Sequence, residues 1–198
     1  MPSTTSAADS AVSLSIIIPA FNAAAQIAAT LDRLQTLRGR GVEIIVVDGG
    51  SSDDTPALAR DRADQLISAA RGKALQMNAG AAAAQGEILC FLHIGSHLPE
   101  NADGLMIGGL ARSRRSWGCF SVRSAGKDPL RRMAAMLMNG RARFTGIASG
   151  AQGIFVTRSL FEAAGRFPEN VPREDLVFSR RLKIYGAPLR INHPLTIR

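Results

Sequence analysis

Cysteine, aromatic side chains and long apolar runs are all scarce in this chain of 198 residues. Two cysteines, Cys90 and Cys119, cannot make a disulfide framework. Each sits in an apolar, strand-like stretch without metal-ligand spacing nearby, so both read as buried thiols in a reducing compartment. Aromatics are 5% of residues, with one Trp and one Tyr. Trp117, Phe120 and Phe144 read as core, which leaves no stacking platform of the kind RNA readers use. Apolar stretches such as Glu87 to Leu92 have strand length and are too short to span a bilayer. Met1 to Ser10 has neither a basic residue nor an apolar stretch, so residues 1–12 read as a short disordered lead and not as a secretory signal. The two common phosphate cradles are also missing: no G-x-G-x-x-G follows the first strand, and no G-x-x-x-x-G-K-[ST] occurs.

What is present is a globular balance, with 46% hydrophobic and 20% charged residues and a mean hydropathy of +0.06. The length suits one domain over 13–198, large enough to bury roughly 70% of its unfolded surface. The net charge of +8 is local: between Arg112 and Arg143 stand nine basic residues and one acid, Asp128. A localised basic surface suggests an anionic partner such as a phosphorylated lipid, a membrane surface or a nucleotide phosphate. Within that segment Leu130, Ala134, Leu137 and Met138 share one helical face, which reads as packing on the sheet with the arginines in water. The rival reading makes the segment a membrane-surface or RNA binder without catalysis.

Ser13 to Ile18 reads as a buried strand ended by Pro19, with Asn22 as N-cap of a helix reaching about Leu37. Strands follow at Val42 to Val47, Leu66 to Ala69 and Glu87 to Leu92, separated by helices near Pro56 to Asp64 and Lys73 to Ala84. Alternation at this spacing predicts a largely parallel α/β sheet covered on both faces, with ligands bound beyond the carboxyl ends of its strands. Past residue 110 the pattern loosens to strands at Trp117 to Val122 and Gly153 to Val156. Helices there are expected at Pro129 to Asn139 and Arg173 to Lys183.

Three strand-end segments carry candidate chemistry. Pro19-Ala20-Phe21-Asn22 follows the first strand. Asp48-Gly49-Gly50-Ser51-Ser52-Asp53-Asp54-Thr55 follows the second. A carboxylate there can accept a hydrogen bond from a base or ribose, and Gly50 lets the backbone approach a planar ring. The simpler reading makes Asp53 or Asp54 the cap of the next helix. Arg71-Gly72-Lys73 then places two cations beside a helix start, which suits a diphosphate, with Met77 and Asn78 offering an apolar wall and an amide.

In order and spacing these segments resemble the family-two glycosyltransferases of the GT-A fold. Phe91-Leu92-His93, Leu98-Pro99, Gln152-Gly153-Ile154-Phe155-Val156, Gly165-Arg166-Phe167-Pro168 and Glu174-Asp175 with Ser179-Arg180-Arg181-Leu182 narrow the resemblance to the bacterial selenodomain-associated branch. It covers about Ser13 to Ile197. It implies a nucleotide-diphosphate sugar donor, a divalent cation (manganese or magnesium), a nucleotide-binding part over about 13–98 and an acceptor part over about 99–198. By likeness Pro19, Ala20 and Asn22 line the nucleoside pocket, Asp48 meets the base, and Arg71 and Lys73 lie near it or the diphosphate. Gln152, Arg180 and Arg181 fall in matched segments on the acceptor side. Asp175, beside Glu174, would be the general base of an inverting transfer, which needs one base opposite the leaving group. The acceptor would be lipid-linked or anionic, and residence cytoplasmic, at the inner face of the membrane if the basic segment docks there.

The departures fall on carboxylates. Where the family places an acidic metal motif after the fourth strand, this chain reads His93-Ile94-Gly95, and a hard divalent cation bridging a diphosphate wants carboxylate oxygen. His93 is the one metal-binding side chain there. Gly150-Ala151-Gln152 stands for Gly-Asp-Gln, and Ala23 for a Glu; relatives continue past the position of Arg198. These losses keep alive a second reading, a nucleotide-sugar-binding homologue that no longer catalyses transfer.

Overall fold

The structure is a computed structural model that describes residues 13–126 and 128–197; the lead at 1–12 lies outside the described residues. Its centre is a seven-stranded sheet ordered β3-β2-β1-β4-β6-β5-β7. The first four strands, β1 (Leu14–Ala20), β2 (Glu43–Asp48), β3 (Gln65–Ser68) and β4 (Ile88–Phe91), are all parallel. Ile16, Ile17 and Ile18 are each fully buried, so both faces of β1 are covered, which is why it reads as one apolar run and not as an alternation. On one face Ile16, Ile18, Ile44 and Val46 pack with Ile27 and Leu31 of α1 (Ala24–Asp32) and with Met106 and Leu110 of α5 (Ala102–Ser113). On the other, Ile17, Ile45 and Val47 pack with Met77 and Ala81 of α4 (Lys73–Ala83), continuous with Phe161 of α7 (Arg158–Ala163) and Phe178 of α8 (Glu174–Ile184).

The expected helix after Asn22 divides. α1 ends at Asp32, and the four-residue α2 (Gln35–Arg38) follows a break at Arg33 and Leu34. Asn22 does not cap α1. The orphan N–H groups of that helix are met from the next loop instead, Ala23 N–H by the Thr55 hydroxyl at 2.7 Å and Ala24 N–H by Asp53 at 3.0 Å. The Thr55 residue itself opens the short α3 (Thr55–Arg60). The sequence therefore carries a cap, but in a segment 30 residues away.

The second half holds what periodicity did not predict. β6 (Phe155–Thr157) runs antiparallel to both neighbours, β4 and β5 (Trp117–Ser124), and β7 (Leu189–Ile197) and α5 were not anticipated. β5 pairs in parallel with β7, with a shift between Phe120 and Val122. Trp117 and Phe120 are buried as expected. The helix expected at Pro129 to Asn139 continues as α6 (Pro129–Thr145). Its side facing β5 is anchored by Asn139, whose amide accepts from Val122 N–H at 2.8 Å and donates to Val122 C=O at 2.9 Å, as a neighbouring strand would. Of the face expected to lie inward, Met138 packs partly buried on the core, but Leu130, Ala134 and Leu137 are exposed; Ala135 and Ala142 are buried instead, and Phe144 is 86% exposed.

Candidate active site

The carboxyl ends of β1 and β4 open into a cavity of about 370 Å³, within the range of small-ligand sites. Pro19, Ala20, Phe21, Asn22 and Ala23 form one wall, Gln26 of α1 and His93-Ile94 another, and Lys73 and Gln76 of α4 the floor. Of the residues expected here, Pro19, Ala20, Asn22 and Lys73 are in place. Gln76 is the residue the sequence reading passed over. It is buried, and its Nε2 donates to Ala20 C=O at 2.7 Å and Val47 C=O at 2.8 Å, pinning the ends of β1 and β2. A lone amide among the inward positions of an alanine-rich helix is the signal that marks it. Gln26 was likewise unanticipated.

Several expected residues are spent on structure. Asp48 is buried with both oxygens occupied: Oδ2 accepts from Gly50 and Ser51 N–H at 3.0 Å, and Oδ1 from the Ser51 hydroxyl at 2.5 Å. Gly50, at φ +84°, makes that turn. Asp53 also serves its loop, with the Thr55 hydroxyl first and then Ala24 N–H holding its carboxyl below the usual carboxylate range. Met77 is core and not a cavity wall, because it lies on the face of α4 that packs against the sheet. Asn78 clamps a distant loop, donating to Phe167 C=O at 2.9 Å and Glu169 at 3.1 Å and accepting from Phe167 N–H. Arg71 stacks its guanidinium 4.1 Å over the Phe21 ring, backing the cavity wall without lining it. Gln152 is buried in a short 3-10 turn, where Oε1 accepts from Ser149 N–H, so it shapes that turn. Arg181 donates to Gly165 C=O at the end of α7, and Arg180 is exposed.

Asp175, in the first turn of α8, is half-buried; its Oδ2 accepts from Gly150 N–H at 2.7 Å and its Oδ1 from Leu176 N–H at 2.9 Å. Glu174 precedes it in the same first turn. His93 stands across Gly150 from Asp175. A Cβ on Gly150 would lie 2.7 Å from His93 Nε2 and 3.5 Å from Asp175 Cβ, so only glycine lets the imidazole and the carboxylate flank that backbone so closely. Burial, and then the charge of Lys73, lower the pKa of His93 to about 4, against the pull of Asp175, so the ring is neutral near pH 7. The two buried thiols, Cys90 and Cys119, are pushed up to about 12 by burial and are inert.

A second cavity of about 460 Å³ shares Gln26, His93 and Ile94 with the first and continues to Gly95, Ser96, Arg131, Ala151 and Ile197. The expected metal position lies on this shared rim, and its residues do not fit a hard divalent cation. Gly95 has φ +79°, and the Gln26 Oε1 sits 2.8 Å from where a Cβ there would be, so an amide fills the space an acidic side chain would need. Among the described residues no three His, Cys, Asp or Glu side chains come together to hold a metal ion. The cations facing this rim are Lys73 in the first cavity and Arg131 in the second.

A sequence model of glycosyl transferase family 2 matches residues 15–157. The chain belongs to glycosyl transferase family 2. No curated protein sequence matches it. Solved structures of family-like fold do. The mannosyltransferase PcManGT from Pyrobaculum calidifontis, in complex with GDP-Man and Mn2+, superposes with a TM-score of 0.69 at 24% identity over 92% of this chain. Residues 1–349 of TarS from S. aureus give 0.77 at 15% identity over 93%. Glucosyl-3-phosphoglycerate synthase from Mycobacterium tuberculosis, with Mn2+, UDP and glucosyl-3-phosphoglycerate, gives 0.65 at 19% over 95%. At these identities the likeness establishes the GT-A fold. The chain spans 56% of the length of the Pyrobaculum structure and 60% of the TarS one.

Proposed function

We propose that this family-two domain binds a nucleotide-diphosphate sugar in the cavity beyond β1 and β4 and transfers the sugar, with inversion, to an acceptor hydroxyl. The observation that carries the reading is His93, which lines the cavity together with Lys73 and stands across Gly150 from Asp175. Residues 13–98 supply the donor site and 99–198 the base. In the transfer, Asp175 takes the proton of the acceptor hydroxyl as its oxygen attacks the anomeric carbon. The bond from that carbon to the diphosphate oxygen breaks on the opposite face, and the nucleoside diphosphate leaves with the electron pair. Lys73, at the N-terminus of the 11-residue α4, meets the departing charge with its side chain and the helix N–H groups, and Arg71 adds positive potential from behind the Phe21 wall. Neutral His93 offers a hydrogen bond without adding a charge near Asp175. The GDP-Man and UDP-GlcNAc held in the Pyrobaculum mannosyltransferase and TarS complexes support the donor class, and Gly95 with Gln26 supports a diphosphate site that relies on cations of the chain.

Gly95 and Ala151, both without carboxylates, favour the second reading, a homologue that binds the donor and does not transfer it. Calorimetric titration with UDP, GDP, TDP and CDP, each with and without manganese, tests the site. Tight binding of one nucleotide that ignores manganese and is lost in Lys73→Ala is the expected result, and no binding of any of them overturns the assignment. A donor-hydrolysis assay then separates enzyme from binder.

A further inference from the structure

From α6 we infer a second function for this chain: docking parallel to an anionic membrane surface. At 100° per residue, Leu130, Met133, Met136, Leu137, Gly140 and Phe144 fall within an arc of about 120°. Their large side chains are 54% to 86% exposed, Leu130, Met136 and Phe144 at 69%, 73% and 86%. Five exposed large apolar residues on one 17-residue helix are a patch and not a scatter. The helix is not loosely attached. Asp128 caps its N-terminus by accepting from Leu130 N–H, and Ala135, Ala142 and the Asn139 clamp hold its opposite face to β5. A firmly seated helix with its apolar side turned outward asks for an occupant.

Charge identifies that occupant. Arg132 and Arg143 border one side of the arc, with Arg141 on the other, and Asp128 is the only acid between Arg112 and Arg143. Arg141 is half-buried, with Nε and Nη2 turned into the protein, so Arg132 and Arg143 are the exposed cations of this border. A second copy seated face to face would set this basic border against itself. RNA would want stacking rings, and Phe144 is the one exposed aromatic on the helix. A plane of anionic headgroups over acyl chains meets both requirements, since the apolar arc enters the boundary and the arginines stay at phosphate level. Arg131, which lines the second cavity, lies about 160° round the helix from the centre of the arc, so the docking face is separate from the mouth of the cleft and the docking does not rest on the glycosyl-transfer reading.

The test is flotation of the full chain with phosphatidylcholine vesicles, alone or with about one third phosphatidylglycerol. Binding to the anionic vesicles that falls with salt, and at least about tenfold in L137E/F144E, is expected. Both positions are exposed, so the variant keeps its fold, which circular dichroism and an unchanged nucleotide titration verify. Docking is overturned if the wild-type chain floats with neither vesicle, or if the variant floats as well as the wild type. A dimer by light scattering that the same variant dissolves also overturns it and assigns the face to a second copy. Because the nucleotide titration runs in parallel, a failed donor site and a failed docking surface give different results.

Discussion

Residues 13–98 carry seven basic and eight acidic side chains, while residues 99–198 carry 17 and seven. The difference extends to how each half uses its polar groups. In the first, loop carboxylates and amides are turned inward onto backbone: Asp48 onto its own turn, Asp53 and Thr55 onto the start of α1, and Gln76 onto the ends of β1 and β2. In the second, arginines and large apolar side chains of α6 face out, and Asp175 is held by Gly150 and Leu176 N–H across from His93. Residues 13–98 thus form a frame whose loop polar groups are bound to backbone, and in the proposed reading residues 99–198 supply the base and the docking face. A site assembled this way needs both halves in register; β4 pairs with β6 across them, and part of the remaining contact is aromatic. Phe91 at the end of β4 meets Phe161 and Phe167, and Phe178 of α8 packs on both of these.

The sharpest way to break this division of labour is at Asp175. Asp175→Asn keeps the shape and one of the two backbone hydrogen bonds, from Gly150 or Leu176 N–H, but cannot take a proton. Donor hydrolysis or transfer is expected to fall about 10²- to 10⁴-fold while nucleotide affinity stays within about twofold. An equal loss of affinity would place Asp175 in the donor site and erase the distinction. Next in size is the aromatic contact. Phe178 is fully buried, and Phe178→Ala is expected to cost about 3–5 kcal/mol. Urea unfolding followed by fluorescence of Trp117 and by circular dichroism should remain one coincident transition; two separated transitions would show that the halves are stable apart.

The first half was legible because its strands are buried on both faces and its helices alternate with them, so runs such as Ile16-Ile17-Ile18 declare themselves. Its cavity lining was legible at Pro19, Ala20, Asn22 and Lys73. What could not be read was the fate of polar groups whose partners lie far along the chain, such as Asn78 with Phe167 or Asp53 with Ala24. In the second half, β6 has three residues and runs antiparallel, too short to show a period. α6 misled for a different reason: its buried side is made by small residues, Ala135 and Ala142, and a pattern argument assigns the large apolar residues to the core.

His93 offers a smaller, graded test at the seam. Its ring takes a proton near the ordinary pH of 6.5 when unfolded and near 4 when folded. Between these values the unfolded chain binds more protons, so stability falls as pH drops from about 6.5 to 4, by up to about 3 kcal/mol from this residue. Melting temperatures across that window should show the fall in the wild type and a flatter curve in His93→Gln. Equal slopes would mean that the ring is solvated and the seam between His93, Gly150 and Asp175 is open.

The smallest effect, and the one that most sharpens the contrast, concerns Gly95. If the donor half has exchanged a strand-end carboxylate for Lys73 and Gln26, restoring the acid alone should not restore a metal site. Gly95→Asp puts a side chain at φ +79° and 2.8 Å from Gln26 Oε1, costing about 1–2 kcal/mol with no gain of manganese dependence in nucleotide binding. Gly95→Asp with Gln26→Ala frees the space, and nucleotide affinity should then rise on adding manganese. A single Gly95→Asp variant that already responds to manganese would show that Gln26 yields easily. The missing carboxylate would then be a simple loss, and the frame would not have been rebuilt around a cationic diphosphate site.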